Sequence, residues 1–275
     1  MKTLYVSDLD GTLLNSQSKL SEYSTKTLNR LTEDGTAFTY ATARSLISAS
    51  VVTKNLRTPI PVIIYNGASI VDTRSGRRLD SASFNKQGIR EVAEWLTERQ
   101  TYPLVYAFID GVEHVSWLKG YENDGMLHYL HSRKGDPRLR SVTNIHDLYA
   151  GDVFYFTCIG DQDPMTEIHQ RFSRNGRYQC IVQQELYRQE YWCELMPAQA
   201  TKANAIVRLK KIMGFDRIVS FGDRVNDLSM FSISDEAYAV ENAVDELKER
   251  ATGIIKSNDD DGVARWLDRH VHSND

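Results

Sequence analysis

Two aspartates with one residue between them begin the chemistry of this chain. They lie in Asp8-Leu9-Asp10-Gly11-Thr12-Leu13, directly after the apolar run Leu4-Tyr5-Val6. On an extended strand end, side chains at i and i+2 project to the same side, and Gly11 lets the backbone turn away. One carboxylate placed in this way can attack phosphorus while its neighbour handles the leaving-group proton. A turn built from Asp and Gly is the bland alternative.

Three later segments supply what such a carboxylate would need around it. In Ala41-Thr42-Ala43-Arg44 the Thr42 hydroxyl and the neighbouring amides, that of Ala43 included, can hold a phosphoryl oxygen at a helix start. A simple helix cap by Thr42 is the other reading. Lys202, after Thr201, opens a helix where its charge opposes the helix dipole, so the ammonium either faces an anion or is a solvated surface lysine. In Phe221-Gly222-Asp223-Arg224-Val225-Asn226-Asp227, acidic side chains between a strand and a helix can bind a hard cation. Asn226 or Asp227 can cap that helix, which leaves Asp223 without a structural task.

The elements that must position these residues alternate as they do in an α/β sheet, whose ligands gather at the carboxyl ends of the strands. Strands are predicted at Leu4–Ser7, Thr36–Ala41 and Val62–Tyr65, with helices at Ser24–Asp34, ended by Gly35, and near Ser45–Asn55. The rhythm returns with a helix at Ala203–Met213, a strand at Ile218–Phe221 and a helix from about Asn226. Ala237–Val240 and Gly253–Ile255 read as short strands, and a final helix begins near Gly262. The middle differs. Its helices at Lys86–Gln100 and Pro164–Arg174, and its strands at Leu104–Ile109, Val153–Ile159, Tyr178–Gln184 and Tyr191–Met196, read as a separate α/β domain inserted in the first.

Composition narrows the class further. Of the 275 residues, 41% are hydrophobic and 25% charged. That balance suits a soluble globular protein and argues against disorder or a fibrous repeat. The formal net charge of -4, from 37 acidic and 33 basic residues, offers no electrostatic footprint for nucleic acid or an anionic membrane. Cys158, Cys180 and Cys193 form no Cys-x-x-Cys pair, so neither a disulfide framework nor a thiolate zinc site is expected, and a reducing cytoplasm is the natural compartment. The start of the chain reaches an aspartate before any signal-peptide apolar region develops. No apolar run is long enough to cross a bilayer.

The four segments, in this order, resemble the motifs of the haloacid dehalogenase superfamily of phosphatases, most closely the Cof-type branch, subfamily IIB. Asp8-Leu9-Asp10-Gly11-Thr12 matches the first motif, Thr42 the second, Lys202 the third, and Gly222-Asp223 with Asn226-Asp227 the fourth. Asn66-Gly67-Ala68, Glu241-Asn242-Ala243 and Asp261-Gly262-Val263-Ala264 look like further core loops of that family. The resemblance implies a Rossmann-like, doubly wound parallel core from residues 1–82 and 195–275, with an inserted α/β cap of the C2 type at 83–194.

For the chemistry, the resemblance implies an aspartyl-phosphate on Asp8, acid and base work by Asp10, and phosphate binding by Thr42, Ala43 and Lys202. Mg2+ would be held by the carboxylates of Asp8 and Asp223 and the backbone carbonyl of Asp10. Arg44, Asn66, Asn226 and Asp227 are expected to touch substrate or to support those that do. The cap is expected to close over the site and select the leaving group. Ala43 and Ala203 stand where the family usually has Gly, and Arg224 where it often has a small residue. The expected partner is a small phosphorylated metabolite, with sugar phosphates first by analogy. A phosphosugar mutase and a non-catalytic phospholigand sensor are the alternatives. Oligomeric state is not legible.

Overall fold

The computed structural model describes residues 1–174, 176–185 and 188–271. The chain divides into two compact units. One comprises Met1–Ser81 and the chain from Ala200 onward, the other Ala82–Gln199.

The first unit begins with β1 (Thr3–Ser7), α1 (Glu22–Glu33), β2 (Ala37–Tyr40), α2 (Leu46–Val52), β3 (Val62–Ile64), β4 (Ser69–Val71) and β5 (Arg78–Ser81). Ser21 starts α1 by accepting from the Ser24 amide, Leu28 and Leu31 are buried, and Asp34 and Gly35 end the helix. Ser45 caps α2 in the same way through the Ser48 amide. The cap of α2 is therefore Ser45, and Thr42 is left for other work.

The second unit contains α3 (Lys86–Glu98), β6 (Leu104–Ile109), β7 (Val112–Leu118), α4 (Asp124–Ser132), β8 (Leu139–Val142), α5 (Ile145–Leu148), β9 (Asp152–Gly160), α6 (Gln162–Phe172), β10 (Tyr178–Gln184) and β11 (Tyr191–Pro197). Its strands form one mixed sheet in the order β10-β11-β9-β6-β7-β8, antiparallel except for the parallel pair of β7 and β8. Val92 and Leu96 of α3 and Met165, Ile168 and Phe172 of α6 join Val105, Phe156, Cys158 and Leu195 of the sheet in one apolar core. Neither β7, α4 nor β8 is among the sequence expectations. The signal for β7 was present in Asp110-Gly111, whose φ angles are 50° and 82°. That dipeptide is a signature of a two-residue hairpin turn.

The return to the first unit brings α7 (Lys202–Met213), β12 (Arg217–Gly222), α8 (Leu228–Phe231), β13 (Glu236–Val240), α9 (Asp245–Lys248), β14 (Gly253–Ile255) and α10 (Gly262–His270). The core sheet is parallel throughout, in the order β14-β13-β12-β1-β2. A parallel bridge, Ala41 to Ile63, links β3 to its edge, and β3 continues into an antiparallel sheet with β4 and β5. Because β1 lies between β2 and β12, successive connections leave it in opposite directions. The crevice at the carboxyl ends of β1 and β12 is thus the topological switch point, where open parallel sheets bind ligands. The core behind it is apolar: Leu4, Val6 and Val219 are fully buried. Among the described residues, no helix is long and apolar enough to cross a membrane.

Candidate active site

Asp8 follows the last residue of β1 and remains in register with β12, its amide donating to the Phe221 carbonyl at 2.9 Å. Asp223 follows the last residue of β12. These two strand ends bring together carboxylates that are 215 positions apart in sequence. Asp8, Asp223 and Asp227 are all buried and each offers one oxygen, the three oxygens lying within 4.8 Å of one another.

Lys202 is at the first position of α7, which Thr201 caps by accepting from the Asn204 amide. Its side chain is 1% exposed, and Nζ donates to Asp8 Oδ1 at 2.5 Å and to Asp227 Oδ1 at 2.7 Å. Of the two readings of this lysine, the anion-facing one describes its surroundings. Burial works against the ammonium, but the Asp227 and Asp8 carboxylates outweigh it and hold its pKa above the usual lysine range. Burial pushes the Asp8 carboxyl up, Lys202 opposes the rise, and the charge of Asp227 adds to it. Asp223 is also raised by burial, against the hydrogen bond from Thr12.

Asp227 organises this group. Its Oδ1 accepts from Lys202, while Oδ2 accepts from the amides of Asp223 at 2.9 Å and Arg224 at 3.2 Å. Its carboxylate therefore fixes the loop and the lysine together. The expected helix start near Asn226 is a tight 3-10 turn at Val225–Asp227 leading into α8, which is how Asp227 folds back onto the loop. Gly222 is required below it, because a Cβ there would meet the Asp227 side chain at 2.7 Å.

Asp10 does not join the acidic cluster with its side chain. It turns instead to Arg44, which grips both carboxylate oxygens at 2.7 and 2.6 Å. Thr42 is buried, with its hydroxyl accepting from the Arg44 amide at 3.1 Å, and Ala43 is exposed beside it. Asn66 and Asn226 come together from distant loops, with Nδ2 of Asn226 3.4 Å from Oδ1 of Asn66. Asn66 is reached through three successive positive-φ residues, Tyr65, Asn66 and Gly67. There Gly67 passes so close to the Thr201 carbonyl that no Cβ would fit.

Two supports carry no role in the sequence reading. Thr12 donates to Asp223 Oδ1 at 2.8 Å, joining the β1 loop to the β12 loop. Asn242 donates to the Gly11 carbonyl at 2.7 Å and accepts from the Asn258 amide at 3.0 Å, so the late loops hold the first one. Thr12 and Asn242 both lie in segments singled out by resemblance, but the contacts that tie them to the opposite end of the chain leave no local pattern.

Three carboxylates against one ammonium leave the buried group formally two charges negative. Asp227 is committed to Lys202 and to backbone amides, whereas Asp8 and Asp223 each retain oxygen capacity. An all-oxygen donor set with excess negative charge fits a hard divalent cation.

Comparison with known proteins agrees with this geometry. The sequence pattern of the haloacid dehalogenase-like hydrolases matches residues 5–267. A 5-amino-6-(5-phospho-D-ribitylamino)uracil phosphatase of Bacillus subtilis is 28% identical over 95% of this chain and 96% of its own. A second phosphatase of that name from the same organism is 25% identical over 94% of each. A crystal structure from Thermotoga maritima, 26% identical, superposes with a TM-score of 0.78 over 98% of this chain and 97% of that one. The chain belongs to the haloacid dehalogenase-like hydrolases, as a phosphatase of the Cof-type branch.

Proposed function

We propose that this phosphatase hydrolyses small phosphomonoesters with Mg2+ through a phosphorylated Asp8. The observation that carries the reading is the separation of two carboxylates two positions apart. Asp8 is buried against Lys202, whereas Asp10 is half exposed and held by Arg44. These surroundings support reading the first as the nucleophile and the second as the group that exchanges protons.

In the first step an Asp8 oxygen attacks phosphorus in line, and the bond to the ester oxygen breaks. Asp10, protonated at an oxygen released from Arg44, gives that proton to the departing alkoxide. Water then attacks the aspartyl-phosphate, Asp10 takes a proton from it, and inorganic phosphate leaves with Asp8 restored. Lys202 and the Thr42 hydroxyl, with the amide of Ala43, bind the non-bridging oxygens and stabilise their charge. Asp8 and Asp223, with the Asp10 carbonyl, are the residues that would hold Mg2+, which supplies positive charge between nucleophile and phosphate. Asn66 and Asn226 serve the substrate side, and Asp227 acts as a positioning residue through Lys202. We assign this chemistry to the unit built from Met1–Ser81 and the chain from Ala200 onward, and choice of the leaving group to the inserted unit, Ala82–Gln199.

The names of the relatives suggest the kind of ester to try first, a primary phosphate on a sugar-like polyol chain. Sugar phosphates and 5-amino-6-(5-phospho-D-ribitylamino)uracil both have that group. Phosphate release from p-nitrophenyl phosphate and from a phosphometabolite panel, with Mg2+ and with chelator, tests the reading. Wild type should turn over only with Mg2+, and Asp8→Asn should lose at least about 10³-fold. Equal, slow hydrolysis by wild type and Asp8→Asn would sink it.

A further inference from the structure

Three basic side chains lie in the four segments that build the site. Arg44 is bound to Asp10, and Lys202 to Asp8 and Asp227. Arg224 differs. Its side chain is 76% exposed, and its nearest ion-pair contact is a long one, Nε to Asp223 Oδ2 at 3.4 Å.

The fold has no need of an arginine there. The backbone is extended, with φ of -125° and ψ of 172°, a conformation that any residue adopts. Its amide is held by Asp227 Oδ2 whatever the side chain. Asp223 is fixed independently, by its own amide on Asp227 and by the Thr12 hydroxyl. An ion pair this exposed adds little stability. A guanidinium beside Asp223 also competes with any cation that carboxylate would hold. The arginine therefore burdens the site unless a ligand uses it.

A guanidinium presents a planar fork of N–H donors that matches phosphate and carboxylate oxygens. We propose that Arg224 binds a second anionic group of the substrate. Within the primary phosphates proposed above, the preferred substrates are then those that also carry another phosphate or a carboxylate, a group that 5-amino-6-(5-phospho-D-ribitylamino)uracil lacks. This inference rests on the phosphatase reading of the same site.

Matched esters test it. Glucose 6-phosphate is compared with 6-phosphogluconate, and fructose 6-phosphate with fructose 1,6-bisphosphate, using wild type, Arg224→Ser and Arg224→Lys. Wild type should favour the doubly anionic member of each pair. In Arg224→Ser the ratio of kcat/KM within each pair should fall about 10- to 100-fold, mostly through KM, as for loss of a hydrogen bond to a charged group. Arg224→Lys should recover part of that ratio. Calorimetric titration with Mg2+ alone gives the second readout, and Arg224→Ser should bind the ion no more weakly than wild type. An unchanged ratio, or a wild type that prefers the singly anionic esters, overturns the role of Arg224 and leaves the phosphatase reading intact. If wild type hydrolyses no ester, including p-nitrophenyl phosphate, the phosphatase reading falls and takes this inference with it.

Discussion

Arg44 meets Asp10 edge-on, Nε donating to Oδ2 at 2.7 Å and Nη2 to Oδ1 at 2.6 Å. Both oxygens of the carboxylate assigned to proton transfer are thereby aimed by one planar group. Arg44→Ala should cost about 10- to 100-fold in kcat, the scale of a charged hydrogen bond. Arg44→Lys should recover little, because an ammonium cannot reproduce the two-point grip. Steady-state kinetics on p-nitrophenyl phosphate check both, and circular dichroism should show the fold unchanged.

Asp227 carries structural weight, since it is fully buried and bonds Lys202 and two backbone amides. Asp227→Ala removes one partner of a buried ion group and should cost about 3–5 kcal/mol in stability. Urea unfolding measures this. Asp227→Asn, which keeps the shape and an acceptor oxygen, should cost less.

Two glycines separate backbone strain from site geometry. Gly11 and Gly214 both have positive φ, but a Cβ on Gly11 would strike the Asp223 carboxylate, whereas a Cβ on Gly214 meets nothing within 4 Å. Gly11→Ala and Gly214→Ala should each lose about 1 kcal/mol to the left-handed backbone. Only Gly11→Ala should also weaken Mg2+ binding in calorimetric titration.

Glu194, on β11 of the inserted unit, is raised by burial above the ordinary glutamate range, against a hydrogen bond from Tyr155. A raised folded value means that the protonated form is favoured by the fold. Its contribution to stability is complete below the ordinary glutamate pKa and is lost as pH rises through the raised one. Glu194→Gln should therefore melt higher than wild type at pH 8 and nearly alike at pH 4. Each 1 kcal/mol should appear as about 2–4 °C in Tm.

The residues assigned to the proposed chemistry were legible because each follows a strand or opens a helix in a short local pattern. With the resemblance of the four segments to one family supplying their expected roles, Asp8, Asp10, Thr42, Lys202 and Asp223 could be singled out as candidates from type and position. So could the parallel α/β core, whose strands are short apolar runs separated by amphipathic helices. The strand β7 and the helix α4 escaped notice, although Asp110-Gly111 marked the hairpin into β7.

The sequence by itself determined which groups stand at the strand ends, because an apolar strand and the polar turn after it are written in one short stretch of chain. Only the tertiary structure decided what those groups touch. Asp10 faces Arg44 and not the acidic cluster; Asp227 ties Lys202 to the Asp223 loop; Thr12 and Asn242 brace loops from the far end of the chain. These contacts arise from the order of strands in a sheet, in which β1 and β12 are neighbours although the whole inserted unit lies between them in sequence. Hydrogen bonds across that distance depend on packing, and no local spacing records them.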